Sequence, residues 1–230
     1  MAVMFFDHFV SVFLPHNVML NLVFRLLGRT AAPIFCFFIT QGFHYTSNLK
    51  KYIGRLLIFA LISHLPYNLC FGFLFFQATS VIWPLIMGLI TLTAVKSDKI
   101  HFVLKLLILA VCCALSYTAN WNYIAVLWVV MFGVFHGNFR RQIATFSIIG
   151  IFYLLIQPLR RHGFFHEIYP QWFQLGIFLA IPLLAMYNNM PGKKSKFMTW
   201  FFYIFYPAHL ILLYLLNQFS SIEEVLGSLF

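Results

Sequence analysis

The sequence predicts an all-α fold: a polytopic transmembrane helical bundle of about eight or nine membrane segments, forming a single domain over residues 1–230. Three observations carry that expectation. The residues are 62% hydrophobic and only 9% charged, with a mean hydropathy of +0.89, far from the composition of soluble domains. The apolar stretches run for roughly 14–20 residues and are rich in Leu, Ile and Phe, without the period-two alternation of barrel strands. The 15 basic residues outnumber the five acidic ones, yet they fall in pairs and triplets between apolar stretches; that is a topology signal, and it excludes a nucleic-acid partner.

The first segment, near residues 3–14, ends at Pro15. It is short: about fourteen residues rise roughly 21 Å against roughly 30 Å of hydrocarbon. It therefore enters the membrane part-way or continues from sequence further upstream. It has no basic leader and no small-residue cleavage site, so it reads as part of the mature chain and not as a signal peptide. A connection from Pro15 to Thr30 leads to the second segment, 31–45. The others fall near 53–76, 81–95, 102–117, 123–136, 143–157, 172–187 and 200–217. Every second connection is basic: Lys50, Lys51 and Arg55; Lys96, Lys99 and Lys105; Arg140 and Arg141; Lys193, Lys194 and Lys196. These connections are assigned to the cytoplasmic side, and the connection from Pro15 to Thr30 and the C-terminal tail with Glu223 and Glu224 to the far side. Two pairs break the pattern, Arg25 with Arg29, and Arg160 with Arg161 beside the loop HGFFHEIYP, which carries His162, His166 and Glu167.

The cysteines, Cys36, Cys70, Cys112 and Cys113, lie in apolar stretches without CxxC spacing and read as small hydrophobes. Neither a disulfide framework nor a metal site is expected. Gly133 and Gly137 have the small-xxx-small spacing of packed helices, a weak signal from one pair.

Polar residues inside the apolar segments are few, and they carry the functional reading. Asp7 is the one acidic residue of five that falls within an apolar helix, where a carboxylate costs about 3 kcal/mol on insertion scales. In RLLGRTAAPIFCFF, Arg25 and Arg29 are four apart on a helix, so one guanidinium can pair with Asp7 while the other holds an anion. His8 follows Asp7, but consecutive side chains diverge by about 100° on a helix, so Asp7 does not automatically orient it. Ser11 could link the two. His8 is read either as a buried histidine satisfied by the backbone or as part of a site. Tyr206 and His209 lie one turn apart in FFYIFYPAHL, where Pro207 bends the helix and frees a carbonyl near Tyr203; packing and site readings both stand. His64, before Pro66 in a helix expected to break there, is read as structural.

Asp7-His8 on the first segment, GRTAAPIF at residues 28–35 and FFYIFYPAHL in the last segment together resemble the TraX family, whose founding members are membrane proteins that N-acetylate conjugative pilin. KKYIGRLLIFALISHLPYN resembles it as well, so the similarity runs from near residue 4 to about 216. FCFFITQGFHYTSNLKKYIGRLL is more distantly similar to the wider transmembrane acyltransferases, in which an early histidine is catalytic and cytoplasmic basic residues meet coenzyme A. The resemblance implies His8 as catalytic base or acyl carrier, Asp7 and Arg29 as its polar surroundings, and Lys51 with Arg55 near the acetyl-CoA donor. Lys50 and Arg25 join the donor-binding set, and Arg29, Tyr206 or His209 are candidate oxyanion donors. The implied acceptor is pilin or a cell-surface polymer, reached within the lipid bilayer or at its far side. Where relatives carry Asp-Tyr-Gly, this chain has Asn122-Tyr123-Ile124, so no carboxylate acts there. A proton-coupled transporter using Asp7, His8, His64 and His209 as a relay, and an assembly protein without chemistry, are the competing classes; the inverted repeats a transporter predicts are not found.

Overall fold

The structure, a computed structural model, describes residues 1–14, 19–75, 77–161, 172–188 and 195–227. Helices dominate: α1 Ala2–Phe13, α2 Met19–Gly28, α3 Ala31–Tyr45, α4 Leu49–Phe71, α5 Ile82–Lys96, α6 Phe102–Leu115, α7 Asn122–Val134, α8 Phe139–Arg161, α9 Trp172–Ala185 and α10 Lys196–Gly227. The first eight residues of α9 form a 3₁₀ turn and Ala180–Ala185 an α-helix. Among the described residues there is no strand beyond one isolated bridge, Thr79 to Ala119.

Four helical stretches are long and apolar enough to cross a membrane: Met19–Tyr45, Leu49–Phe71, Phe139–Ile156 and Phe197–Phe219. Five shorter apolar helices pack among them, giving the helical membrane bundle that composition predicts. The outward faces are bare hydrocarbon, as with Leu57, Ile58, Leu61 and Ile62 on α4 and Phe102 and Val103 on α6, which fits a lipid surround.

Basic connections gather at one end. Lys96 donates to the Val134 carbonyl at 3.3 Å, Lys105 to the Val95 carbonyl at 2.9 Å, and a His44 ring nitrogen bonds the Gly133 carbonyl at 3.3 Å. The turns after α3, α5 and α7 therefore share a face, called here the basic face. Lys193 and Lys194 lie outside the described residues. At the other end, the Trp83 indole donates to the Leu115 carbonyl at 3.0 Å, and Asn120 N–H to the Thr79 carbonyl at 3.0 Å.

α5 and α7 form the centre, and glycine sets their separation. Gly88 faces the Val129 side chain and Gly133 the Leu92 side chain so closely that neither has room for a methyl group. Gly137, the partner in the sequence spacing, takes a left-handed φ of 84° with open space around it; it turns the chain and packs nothing. Several hydroxyls within the bundle bond to their own helix, as Thr91 does to Met87 and Ser116 to Cys112, each at 2.8 Å, and these need no partner across lipid.

Three expectations are corrected. The connection from Pro15 to Thr30 contains a helix, α2, whose Arg29 N–H still donates to the Arg25 carbonyl at 3.0 Å across the turn into α3. α4 does not break at Pro66 but runs on to Phe71, where Gly72 ends it in the left-handed region. α10 continues to Gly227 instead of stopping near residue 217. Residues 162–167 of the loop after α8 lie outside the described residues.

Candidate functional site

α1 is a helix of about 18 Å that lies against α2 and α10. Its two polar neighbours point apart, as helical spacing requires. Asp7 faces the α2–α3 turn, and His8 faces α10 and the end of α4.

Asp7 sits against Gly28, where a side chain would collide with the carboxylate. Glycine there allows the turn to bring Arg29 NH2 to 3.8 Å from Asp7 Oδ1, in a pair only 13% and 14% exposed. Ser11 does not bridge to His8; its hydroxyl donates to the Asp7 backbone carbonyl at 2.7 Å. Both guanidiniums stack on aromatic rings, Arg25 over Phe173 at 4.1 Å, Arg29 over the same ring at 5.2 Å and over Trp121 at 5.3 Å. Gly176 lets α9 approach, since a side chain at that position would strike the Leu26 carbonyl of α2. Trp121 and Asn122 take positive φ values, 66° and 27°, and Asn122 Oδ1 accepts the Ile124 N–H at 3.2 Å to start α7.

His8 is buried and lies 2.8 Å, Nδ1 to Nε2, from His209, with the two rings 8° from parallel. His209 Nδ1 lies 2.8 Å from the Phe205 carbonyl. That carbonyl can only accept, so it fixes the proton on His209 Nδ1, leaves the His209 Nε2 lone pair to accept from His8 Nδ1–H, and places a lone pair on His8 Nε2. Neutral rings suit a site that already holds two guanidiniums and one carboxylate, where another buried positive charge would be costly. Phe71 stands edge-on to His8 at 5.3 Å, and Tyr206 at 6.4 Å. The Tyr206 hydroxyl is buried and faces the Val81 backbone and the Ser80 side chain, its nearest polar neighbours among the described residues.

A cavity of about 480 Å³ lies among α1, α3, α4, α5 and α10. Gly42, Tyr52 and Thr199 form its wall towards the basic face, and Met4, Val81 and Tyr206 its opposite wall. Between Thr199 and Tyr206 it follows about 10 Å of α10. Lys50 and Lys51 are exposed in the first turn of α4, where Lys51 N–H donates to the capping Asn48 side chain at 2.9 Å. Arg55 is half-buried, with its Nε unpartnered among the described residues.

His8, His209 and Tyr206 are thus brought together, with Asp7, Arg29 and Arg25 beside them. Lys50, Lys51 and Arg55 are not. About 24 Å of α4 separates Arg55 from Phe71, the ring against His8. Arg25 lies apart from those residues, because α3 spans about 21 Å between the Arg29 turn and the basic face. His64 bonds the Phe75 carbonyl at 2.6 Å, as does Asn68 at 3.2 Å, and holds the loop that follows α4. Phe173, Trp121 and Tyr67, whose ring lies 5.1 Å from that of Phe71, are site neighbours that sequence reasoning missed; an aromatic residue in a chain with 30 phenylalanines gives no signal of its own.

A buried histidine pair and a carboxylate–guanidinium cluster inside a bundle of apolar helices define the class: a polytopic membrane protein with a polar site set within its core. The TraX protein family matches residues 1–217, and the chain belongs to that family. It is 25% identical over 219 residues to the probable fimbrial assembly protein FimC, serogroup H1, of Dichelobacter nodosus, covering 90% of this chain and 88% of that protein. No solved structure matches it.

Proposed function

We propose that the protein is an acyltransferase of the bacterial inner membrane that moves an acetyl group from cytoplasmic acetyl-CoA to an amine or hydroxyl of pilin or a cell-surface polymer. The carrying observation is the hydrogen-bond chain from the Phe205 carbonyl through His209 to His8, which leaves the His8 Nε2 lone pair free next to Tyr206. The fimbrial name of the relative supports an acceptor among surface appendages.

The donor fits the residues present. Lys50, Lys51 and Arg55 supply cations for the phosphates of coenzyme A at the basic face. The thioester arm is thin and uncharged, and the cavity that starts at Gly42 and Tyr52 is apolar enough to take it. It ends on Tyr206, whose ring stands 6.4 Å from that of His8.

At that end the acceptor amine or hydroxyl attacks the thioester carbonyl while His8 Nε2 takes its proton. The oxyanion receives a hydrogen bond from the Tyr206 hydroxyl, a group buried in the cavity wall and in place before charge develops. The positive charge formed on His8 is shared with His209 through their hydrogen bond. Collapse of the tetrahedral species breaks the C–S bond, and the departing CoA thiolate takes the proton from His8. The acceptor keeps the acetyl group, and His8 returns to its starting form.

Thermal unfolding of the detergent-purified protein tests the donor assignment. Acetyl-CoA should raise Tm saturably while acetate does not, and Arg55→Gln should shift the dependence to higher acetyl-CoA. No stabilisation by acetyl-CoA at millimolar concentration would overturn the proposal.

A further inference from the structure

The geometry points to an anion subsite, formed by Arg25 and Arg29, that receives a phosphate or carboxylate carried by the acceptor. Its assignment to the acceptor rests on the acyltransferase reading; the anion site itself does not.

Charge does not balance in this cluster. Two guanidiniums converge on one ring, Phe173, and among the described residues Asp7 is the carboxylate that meets them. That carboxylate makes a single long contact with Arg29, at 3.8 Å, and Asp7 Oδ1 takes no hydrogen bond. The Nε–H groups of Arg25 and Arg29 are both buried, and neither finds an acceptor among the described residues. A guanidinium has five donors in a fixed fork, and a surplus cation within a bundle is costly unless an anion offsets it. Stacking on Phe173 and Trp121 holds the planes of the guanidiniums without consuming the N–H groups at their edges.

Location selects what the anion belongs to. The donor's phosphates are drawn to Lys50, Lys51 and Arg55, and α3 separates those residues from Arg29 by about 21 Å. Arg29 also meets Asp7, the chain neighbour of His8 on α1. An anion at this pair is therefore held close to the acetyl-accepting atom and far from the coenzyme phosphates. The subsite selects acceptors in which the reacting amine or hydroxyl has a negative group nearby.

The test uses the full-length protein in nanodiscs of phosphatidylcholine and inorganic phosphate as the probe, with potassium chloride at matched ionic strength as control. Phosphate should raise Tm saturably where chloride does not. Arg25→Gln should weaken the apparent affinity by about tenfold, the size of one charge-assisted hydrogen bond. Arg25→Lys, which keeps the charge but loses the fork, should fall between. If the stabilisation appears instead with phosphatidylglycerol in the nanodisc and is lost in Arg25→Gln, the subsite stands and its anion is a lipid headgroup. A phosphate response equal to that of chloride, with no phosphatidylglycerol effect, overturns the subsite; so does a response that Arg25→Gln leaves unchanged. Acetyl-CoA stabilisation measured alongside separates the two readings. A shift with acetyl-CoA but with neither phosphate nor phosphatidylglycerol removes the subsite alone, and the reverse removes the acyltransferase while the anion site stands.

Discussion

Gly28→Ala puts a methyl group where the Asp7 side chain already lies, since the added carbon would collide with Asp7 Cβ, Cγ and Oδ1. The carboxylate must rotate away from its place beside Arg29. Overpacking of this kind costs about 1–3 kcal/mol. Separating a partly buried ion pair costs up to about 3–5 kcal/mol if the charge then finds no other partner. The pair here is long, at 3.8 Å, so only part of that applies. Alanine regains about 0.5–1 kcal/mol of backbone entropy within a helix. The balance is a destabilisation of about 2–4 kcal/mol. Gly54, in the second turn of α4, is the internal control, because nothing lies within 4 Å of a methyl group added there. Gly54→Ala should stabilise by about 0.5–1 kcal/mol. The two substitutions are chemically identical and differ only in what the methyl meets. SDS titration of the purified protein in mixed micelles, followed by tryptophan fluorescence, measures both. A Gly28→Ala protein as stable as wild type would refute the placement of Asp7 against the α2–α3 turn.

Four further outcomes follow from the same geometry. His209→Gln should retain about tenfold more transfer activity than His209→Ala in a steady-state acetylation assay, because the amide oxygen can still accept from His8 Nδ1–H. Gly42→Ala forces the Tyr52 ring to shift at the cavity wall and should raise KM for acetyl-CoA more than it lowers kcat. Gly133→Ala should cost about 1–3 kcal/mol in the same SDS titration, since Leu92 of α5 must yield. His136, in the turn after α7, is held below the ordinary histidine pKa by partial burial and then by Lys96. The unfolded chain thus takes up the proton more readily. Stability from this group is complete above the unfolded value of about 6.5 and is lost as pH falls through the lower folded value. His136→Gln should flatten the fall in Tm between about pH 7 and pH 5.

Much of the fold is legible in the sequence because lipid imposes a simple rule: a helix spanning it satisfies its own backbone, so apolar length marks each element. The second segment, 31–45, coincides with Ala31–Tyr45, and the others fall within about five residues of their helices, apart from the end of α10, which runs ten residues past 217. α2 escaped because MLNLVFRLLG is only ten residues long and carries Asn21 and Arg25, which read as a connection. Asn21 is nevertheless buried, donating to the Leu14 carbonyl at 2.8 Å. Pro66 misled for a related reason: proline removes one donor, but a helix held by neighbours on both sides of it continues. Polar residues in apolar segments flagged Asp7, His8, Arg29 and His209 one by one. Their pairing was not legible, because His8 and His209 are 201 residues apart and only the packing of α1 against α10 joins them. The separation of Arg25 from Lys51 was equally hidden, since it depends on which end of α3 each occupies.

Transfer of radiolabelled acetyl from acetyl-CoA, in a single turnover, tests the central claim most directly. Proteoliposomes containing wild-type or His8→Ala protein are supplied with [14C]acetyl-CoA and with pili and surface polymer from cells lacking the gene. Label should appear on the acceptor fraction with the wild type and be absent with a folded His8→Ala protein. Equal labelling by both proteins, or none with the wild type, would contradict the account.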